Sequence, residues 1–277
     1  MASIGTSLTY TLLDFAYLFH RDSSLKYKIR VSLTYIRLTA QFFFCKLLGI
    51  KKTSSRVLGL KVSFADFPTF AFLFREVFIK QEYLFKAGKK PVIVDCGANI
   101  GMSVLFFKYH YPDATVYGFE PLPGNFRHLQ QNIRRNHLSK VQVFEAAVAT
   151  KNGRTTFYFD DANAEALTSS MYASRSGKAK VSVKTVRLSD FVKKVRPDLL
   201  KMDIEGAEFE VLKDMRSSGA LRHVKSFVIE YHHNIGNGTS LSEFLGTLEN
   251  AGFVCYLDAA LAPRSNNEDI IIYALRK

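Results

Sequence analysis

A short apolar run that ends in an acid and two spaced glycines constrains this chain more than any other feature. Residues 91–101 read PVIVDCGANIG, and a helical pattern follows at once. A buried parallel strand has this form, and glycines after it let the backbone approach a ligand closely. The first turn of the next helix offers unpaired N–H groups. The stretch therefore predicts a strand, turn and helix that bind a nucleotide-like ligand.

From this stretch to the C-terminus, short apolar runs alternate with helical patterns. The main predicted helices cover residues 100–110, 124–136, 206–216 and 240–250. The predicted strands are Val92–Asp95, Thr115–Phe119, Val141–Glu145, Arg154–Phe159, Lys180–Val186, Leu199–Met202, Val224–Ile229, Phe253–Leu257 and Asp269–Leu275. Strands that alternate with helices are typical of a parallel, doubly wound sheet, so we predict an α/β fold.

The N-terminal part of the chain differs from the rest in charge and in pattern. Residues 1–61 carry ten Lys or Arg and two Asp, which is +8 of the formal net charge of +13. We predict a basic helical extension over residues 1–57 ahead of a main domain over residues 58–277. The extension is expected to dock on that domain or to contact an anionic membrane surface. Apolar residues recur there at helical spacing in two stripes: Leu8, Leu12, Phe15 and Phe19, then Ile29, Leu33, Ile36, Ala40, Phe43 and Leu47.

Three further segments lie around the predicted sheet. Leu58–Ala65 is predicted to form a strand, and Pro68–Phe85 an aromatic helix that makes a wall over the first strand of the sheet. Asp161–Ala179 is small and polar, so we predict a loop. The last two segments are the candidates to cover a bound ligand.

The spacing of the glycine stretch separates two classes of cofactor. A nicotinamide site would have Gly-x-Gly-x-x-Gly, whereas here Asp95 precedes Gly97, Asn99 and Gly101. An acid at that position would repel a pyrophosphate and would suit the amino group of S-adenosylmethionine. Glu120 is placed to accept hydrogen bonds from ribose hydroxyls. Ligands of such sheets bind at the carboxyl ends of strands, and five predicted strands end in an acid: Asp95, Glu120, Glu145, Asp203 and Glu230.

These residues stand in segments that resemble the FkbM family of S-adenosylmethionine-dependent methyltransferases, namely VIVDCGANIGMSVLFF, YGFEPLP, EAAVATKNG, LLKMDIEGAEFEVL and FVIEYH. The resemblance runs from about residue 58 to the C-terminus. It implies a Rossmann-like class I methyltransferase fold, with a sheet that ends in an antiparallel hairpin, and methyl transfer to a hydroxyl. By position, it also implies roles for individual residues. The cofactor loop would be Gly97, Asn99 and Gly101, Glu120 would hold the ribose, and Glu145 and Ala146 would lie near the adenine.

The end of the fourth strand of the sheet is predicted to lie beside the transferred methyl group. Asp203 is expected to orient the cofactor amine, to act as general base for a substrate hydroxyl, or to ligate a metal. Glu205 is a candidate for substrate or catalytic contact, while Glu208 fits an acid that stabilises the first turn of a helix. His232 and His233 are candidate bases because an imidazole titrates near neutral pH. No ligand pair has helical i, i+4 spacing, and we predict no metal site.

We therefore predict an S-adenosylmethionine-dependent O-methyltransferase acting on a hydroxyl of a sugar, glycan or secondary metabolite. A catalytically inactive cofactor-binding protein at a membrane surface and an RNA methyltransferase stay open as alternatives. No Asn- or Asp-Pro-Pro-aromatic motif and no Pro-Cys nucleophile occurs, which disfavours methylation of DNA amino groups and ring carbons. Three cysteines without a CxxC pair fit a reducing compartment. We expect a cytoplasmic location, with peripheral contact at the inner membrane surface through residues 1–56 and a lipid-linked acceptor left open.

Overall fold

The computed structural model describes residues 14–20, 23–159, 169–170, 179–232, 240–258 and 269–277. A seven-stranded sheet forms its centre. In order across the sheet, the strands are β12 (Phe253–Asp258), β13 (Asp269–Arg276), β11 (Ser226–His232), β10 (Leu199–Met202), β3 (Val92–Cys96), β4 (Thr115–Phe119) and β5 (Val141–Phe144). Strands β11, β10, β3, β4 and β5 are parallel, and β13 is antiparallel to β11 and to β12. The predicted α/β fold with an antiparallel end is confirmed.

Helices pack on both faces of this sheet because its inner strands are apolar on both sides. Ile93 and Leu199 enter one hydrophobic core, while their neighbours Val94 and Leu200 enter the other. Alternate residues of a strand point to opposite faces, so two separate cores are the expected result. The first core holds helices α1 (Leu25–Leu47), α2 (Phe67–Phe74), α3 (Met102–His110) and α4 (Pro123–Arg135). The second core holds α5 (Leu188–Val195), α6 (Glu208–Ser217) and α7 (Leu241–Asn250).

A small second sheet lies beyond the end of β5. Its order is β6 (Ala147–Ala149), β9 (Ala179–Arg187), β7 (Gly153–Phe159) and β8 (Ser169–Ser170). The strands β7 and β9 were expected, whereas the short β6 and β8 carry too few residues for a periodic signal. Most of the predicted loop over residues 161–179 lies outside the described residues.

A hairpin replaces the single strand predicted over residues 58–65. Strand β1 (Ser54–Val57) pairs with β2 (Leu60–Ser63) through a two-residue turn. That prediction was wrong because Leu58 has φ +51° and Gly59 has φ +97°, the left-handed geometry of a tight hairpin turn. The predicted helix over residues 68–85 is also shorter, since α2 continues only as one π-helical turn to Ile79.

Helix α1 docks on the domain, but through a different face from its apolar stripe. Its buried residues are Tyr27, Val31, Thr34 and Leu38, and the Tyr27 hydroxyl donates to the Phe78 carbonyl at 2.8 Å. The helix thus shares the first core, although the predicted domain boundary falls after residue 57. None of the helices in the described residues combines the length and apolar character that a bilayer crossing requires.

The predicted second stripe, by contrast, faces outward. Ile29, Leu33, Ile36, Phe43 and Leu47 are each between 48% and 82% exposed. Of the first predicted stripe, Phe19 is also exposed, while Leu8 and Leu12 lie outside the described residues. Helical spacing alone identifies an apolar face and does not say what that face contacts.

Candidate active site

Two cavities meet at the carboxyl ends of β3, β4 and β10. Gly97, Asn99, Asp203 and Glu205 line both of them. The first cavity has a volume of about 520 Å³ including its open side. Its other walls include Glu120, Asn125, Ala146, Val148 and Phe157. The second cavity, of about 1160 Å³, is lined by Glu76, Lys80, Glu82, Tyr83, Lys201 and Glu230 among others.

The glycine loop after β3 is shaped by close approach to β10. Gly97 has φ +84°, and a Cβ there would lie 1.9 Å from the backbone oxygen of Asp203. Asn99 also has a left-handed φ, of +49°, and its side-chain Oδ1 accepts from the Ile100 N–H at 2.7 Å. These conformations turn the loop between the two cavities, so its backbone borders both.

Gly101 serves packing at this point. A Cβ on it would lie 2.7 Å from Cδ1 of Leu129 in α4, and its φ is +90°. It lines neither cavity. Close packing of α3 and α4 accounts for a glycine at this position, and the predicted contact of Gly101 with a cofactor stays a prediction.

Glu120 is held rigidly at the wall of the first cavity. One carboxylate oxygen accepts from the Asn99 N–H and the other from the Leu122 N–H, both at 2.9 Å. Burial raises the pKa of Glu120 to about 7, although these hydrogen bonds oppose the shift. Each oxygen keeps further lone-pair capacity. Glu120 is thus placed to accept hydrogen bonds from hydroxyls in the cavity.

Asp95 lies beneath the loop, fully buried, and lines neither cavity. It accepts from the Ser103 hydroxyl at 2.5 Å and lies 3.4 Å from Nζ of Lys201. Burial raises the pKa of Asp95 despite these two partners. The carboxylate thus lies against Ser103 and Lys201, and the predicted contact of Asp95 with a cofactor amine stays a prediction.

Lys201 is a buried cation that lies between the carboxylates of Asp95 and Asp203. Its side chain is 3% exposed, and Nζ donates to the Gly97 carbonyl at 2.7 Å and to Asp203 Oδ2 at 3.2 Å. It also lies 5.4 Å from the centre of the Tyr83 ring. Burial opposes its charge, but Asp203, Tyr83 and Asp95 hold the pKa of Lys201 well above its ordinary value. The lysine ties the glycine loop to the end of β10.

The segment after β10 brings three acids and one histidine together. The Glu208 carboxylate accepts from the backbone N–H groups of Ile204 and Gly206 at 3.0–3.1 Å. It lies 2.8 Å from Nδ1 of His232. Nε2 of the same imidazole lies 3.5 Å from Glu205 Oε2 and 3.9 Å from Asp203 Oδ1.

Burial opposes a charge on His232. The negative charge of Glu208, with that of Glu205 and Asp203, has a larger effect in the opposite direction and raises the pKa of the imidazole to about 10.

Comparison with known proteins identifies the family of this chain. A model of the methyltransferase FkbM domain matches residues 95–255, which is more than half of the chain. The chain belongs to the FkbM methyltransferase family. The matched residues include the glycine loop, Glu120, the segment from Asp203 to Glu208, and His232.

The chain is also similar to individual proteins. The chain is 31% identical over 167 residues to "Methyltransferase 1" of Beauveria bassiana, covering 52% of this chain and 66% of that one. It is 29% identical over 228 residues to the 31-O-demethyl-FK506 methyltransferase FkbM of Streptomyces tacrolimicus, covering 70% and 86%. It also resembles the crystal structure of methyltransferase FkbM from Methylobacillus flagellatus, with 18% identity, a TM-score of 0.48, and coverage of 75% and 54%. The chain thus spans just under two thirds of the length of the first of these relatives.

Some of the predicted site residues of this FkbM methyltransferase line the first cavity, and others do not. Gly97, Asn99, Glu120, Ala146, Asp203 and Glu205 line the first cavity. Glu145 is exposed and lines neither cavity, whereas the next three residues, Ala146, Ala147 and Val148, line the first cavity. His232 is buried behind Asp203 and Glu205, and His233 lies outside the described residues.

Several residues of the site were not predicted. A charged residue inside the apolar run LLKM is a usable signal for Lys201, because buried charges are retained only with partners. Tyr83, Val148 and Phe157 carry no comparable signal. The wall predicted from residues 68–85 is confirmed, since Phe72, Glu76 and Val77 line the second cavity.

Proposed function

We propose that this methyltransferase uses S-adenosylmethionine as its methyl donor, bound in the first cavity. The supporting observation is Glu120, whose carboxylate is fixed by two backbone N–H groups and faces a cavity with apolar walls from Ala146, Val148 and Phe157. A carboxylate in this setting suits two adjacent ribose hydroxyls, and apolar walls suit an adenine ring. Asp203 and Glu205, which also line this cavity, suit the donor's cationic end.

We further propose that the methyl acceptor is a hydroxyl, presented from the second cavity. The acids Glu76, Glu82 and Glu230 line that cavity with Lys80 and Lys201. Such a wall offers hydrogen-bond acceptors and donors to a compound rich in hydroxyls, such as a sugar, a glycan or a polyol metabolite. A bound S-adenosylmethionine supplies an electrophilic methyl group attached to a sulfonium.

Asp203 is the general base in this proposal. Its side chain lines both cavities and is 25% exposed, whereas His232 lines neither cavity. The acceptor oxygen forms its bond to the methyl carbon as the carbon–sulfur bond breaks, and the hydroxyl proton passes to the Asp203 carboxylate. The products are a methyl ether and S-adenosylhomocysteine. The residues shared by both cavities act mainly by positioning, which supplies a large part of the rate in such reactions.

Glu120→Ala is expected to weaken S-adenosylhomocysteine binding by about tenfold to a hundredfold, because hydrogen bonds to a charged group contribute about 1.5–3 kcal/mol. Isothermal titration calorimetry measures this directly. Glu145→Ala is the matched control, since it removes the exposed acid at the end of the next strand and should leave binding unchanged. No detectable binding to the unaltered protein at millimolar ligand would refute the proposal.

The same titration has an expected pH dependence. The pKa of Glu120 is raised to about 7 without ligand, and the ionised form is the better acceptor for ribose hydroxyls. Affinity should therefore rise as the pH passes upward through 7, and this rise should be absent from Glu120→Gln. Release of S-adenosylhomocysteine on incubation with hydroxylated acceptors separates an active enzyme from an inactive cofactor-binding protein.

A further inference from the structure

We propose that Asp203, Glu205 and His232 form a divalent metal site at the junction of the two cavities. One oxygen from each carboxylate and one imidazole nitrogen lie within 4.8 Å of one another. Neighbouring ligand atoms around a metal such as zinc are about 3.0–3.5 Å apart when the metal–ligand bonds are about 2.0–2.2 Å. The observed separations of 3.5 Å and 3.9 Å from Nε2 need only a small contraction.

His232 is oriented as a ligand by the acid behind it. Glu208 is itself fixed by the backbone N–H groups of Ile204 and Gly206 and accepts from Nδ1–H of His232 at 2.8 Å. Because Nδ1–H faces Glu208, a metal would bind through Nε2, where it competes with the second proton that the three acids favour. A carboxylate that bonds the second nitrogen of a ligating histidine is the usual support of such sites.

Nε2 of His232 is the observation that calls for a cation. The side chain is 0% exposed, and Nε2 has no hydrogen-bond partner although it points toward two carboxylates. A proton on Nε2 would draw a carboxylate to about 2.7–2.9 Å, the length of a charge-assisted hydrogen bond. The distances to Glu205 and Asp203 are longer than that and leave room for an ion between the three groups.

The site is open on the side where chemistry is proposed. Asp203 directs Oδ2 to Lys201 at 3.2 Å and its other oxygen to His232. Asp203 and Glu205 border both cavities, so the remaining coordination positions face the substrates. Two carboxylates with one imidazole suit Mn²⁺, Fe²⁺ or Zn²⁺. This extension rests on the proposed methyl transfer, and it assigns as acceptor a compound that offers a hydroxyl and a neighbouring oxygen to the ion.

The test is titration of the chelator-treated full chain with Mn²⁺, with the free ion followed by electron paramagnetic resonance. One site per chain is expected, and Glu205→Gln should weaken Mn²⁺ binding at least tenfold. Glu208→Gln should weaken it tenfold to a hundredfold, the usual loss for a support residue. Glu210→Gln removes an exposed acid from the same helix and should change nothing.

Fewer than one site per chain, or equal losses in Glu205→Gln and Glu210→Gln, would overturn the metal site. His232 is buried, so the thermal melting curve of His232→Gln is first compared with that of the unaltered protein. If His232→Gln is unfolded, the result for Glu205→Gln decides. S-adenosylhomocysteine is titrated into the same samples. Binding of that ligand without Mn²⁺ binding refutes the metal site alone, and Mn²⁺ binding without it refutes the donor proposal.

A separate observation, the outward face of α1, carries a second inference. We infer that this face binds an anionic lipid surface. Five apolar residues along it, spaced at i, i+4, i+7, i+14 and i+18, are exposed: Ile29, Leu33, Ile36, Phe43 and Leu47. On a helical wheel, Lys26 and Arg37 border one side of this stripe, and Lys28 and Lys46 border the other. The helix has no acidic residue. Apolar stripes between basic borders are typical of helices that lie in a membrane interface.

Flotation of the full chain with lipid vesicles tests this second inference. Binding is expected to vesicles that contain phosphatidylglycerol and to fall at least tenfold with phosphatidylcholine alone, since several Lys and Arg residues beside the stripe are attracted to an anionic surface. The double variant Leu33→Ser, Ile36→Ser should lose binding. Leu257→Ser, at a residue that is 49% exposed elsewhere, is the control. Absence of flotation, or a dimer in sedimentation that the double variant abolishes, would contradict the lipid assignment.

Discussion

Lys201→Met is expected to destabilise the protein by about 3–5 kcal/mol, because removing one partner of a buried ion pair leaves an uncompensated charge. Asp95 is fully buried, and the ammonium group of Lys201 lies 3.4 Å from its carboxylate. The variant also loses the hydrogen bond from Nζ to the Gly97 carbonyl, which positions the glycine loop. We therefore expect weaker S-adenosylhomocysteine binding together with the loss of stability.

Urea unfolding of the variant measures this effect, with Lys194→Met as an exposed control. The double variant Lys201→Met, Asp95→Asn should be more stable than Lys201→Met alone, since it no longer buries an unpaired carboxylate. The loss of stability in Lys201→Met should also grow as the pH rises. The unpaired Asp95 is hard to ionise in its buried site, whereas it ionises readily in the unfolded chain, so a higher pH favours unfolding. A loss below about 1 kcal/mol, the scale of an exposed pair, would show that the ion pair is not important to the fold.

Gly97→Ala is expected to cost about 3–5 kcal/mol and to abolish donor binding, since backbone strain and overpacking each cost about 1–3 kcal/mol. The φ of +84° is unfavourable for alanine, and the new Cβ would lie 1.9 Å from the Asp203 carbonyl oxygen. A backbone atom directly after β10 cannot move aside as the end of a flexible side chain can. Relief of the clash would separate the ends of β3 and β10, where the two cavities meet.

Gly59→Ala isolates the strain from the clash. Gly59 has φ +97°, and a Cβ there would have no heavy atom within 4 Å. Its unfolding free energy should fall by the strain alone, and its affinity for S-adenosylhomocysteine should be unchanged. Equal stability losses in Gly59→Ala and Gly97→Ala would argue against a tight contact between the loop and Asp203.

The sequence determined the order of elements and several residues that line the first cavity. Apolar runs and glycine turns are local signals, so β3, β4 and β10 were predicted to within a residue, and Glu120 and Ala146 line the expected cavity. The hairpin at Leu58 and Gly59 was missed, because its turn depends on two left-handed residues of which only one is glycine.

Only the tertiary structure decided which side chains meet. Asp95, Glu145 and His232 each lie at or next to the last residue of a strand. Yet Asp95 is buried against Lys201, Glu145 is exposed, and His232 lies behind the acids that follow β10. Side-chain direction at a strand end depends on the turn that follows and on the partners brought from distant segments. The cluster of Asp203, Glu205 and His232 joins residues almost thirty positions apart through the parallel pairing of β10 with β11. Charge balance inside that cluster is a property of the packed molecule, because burial makes every unpaired charge costly.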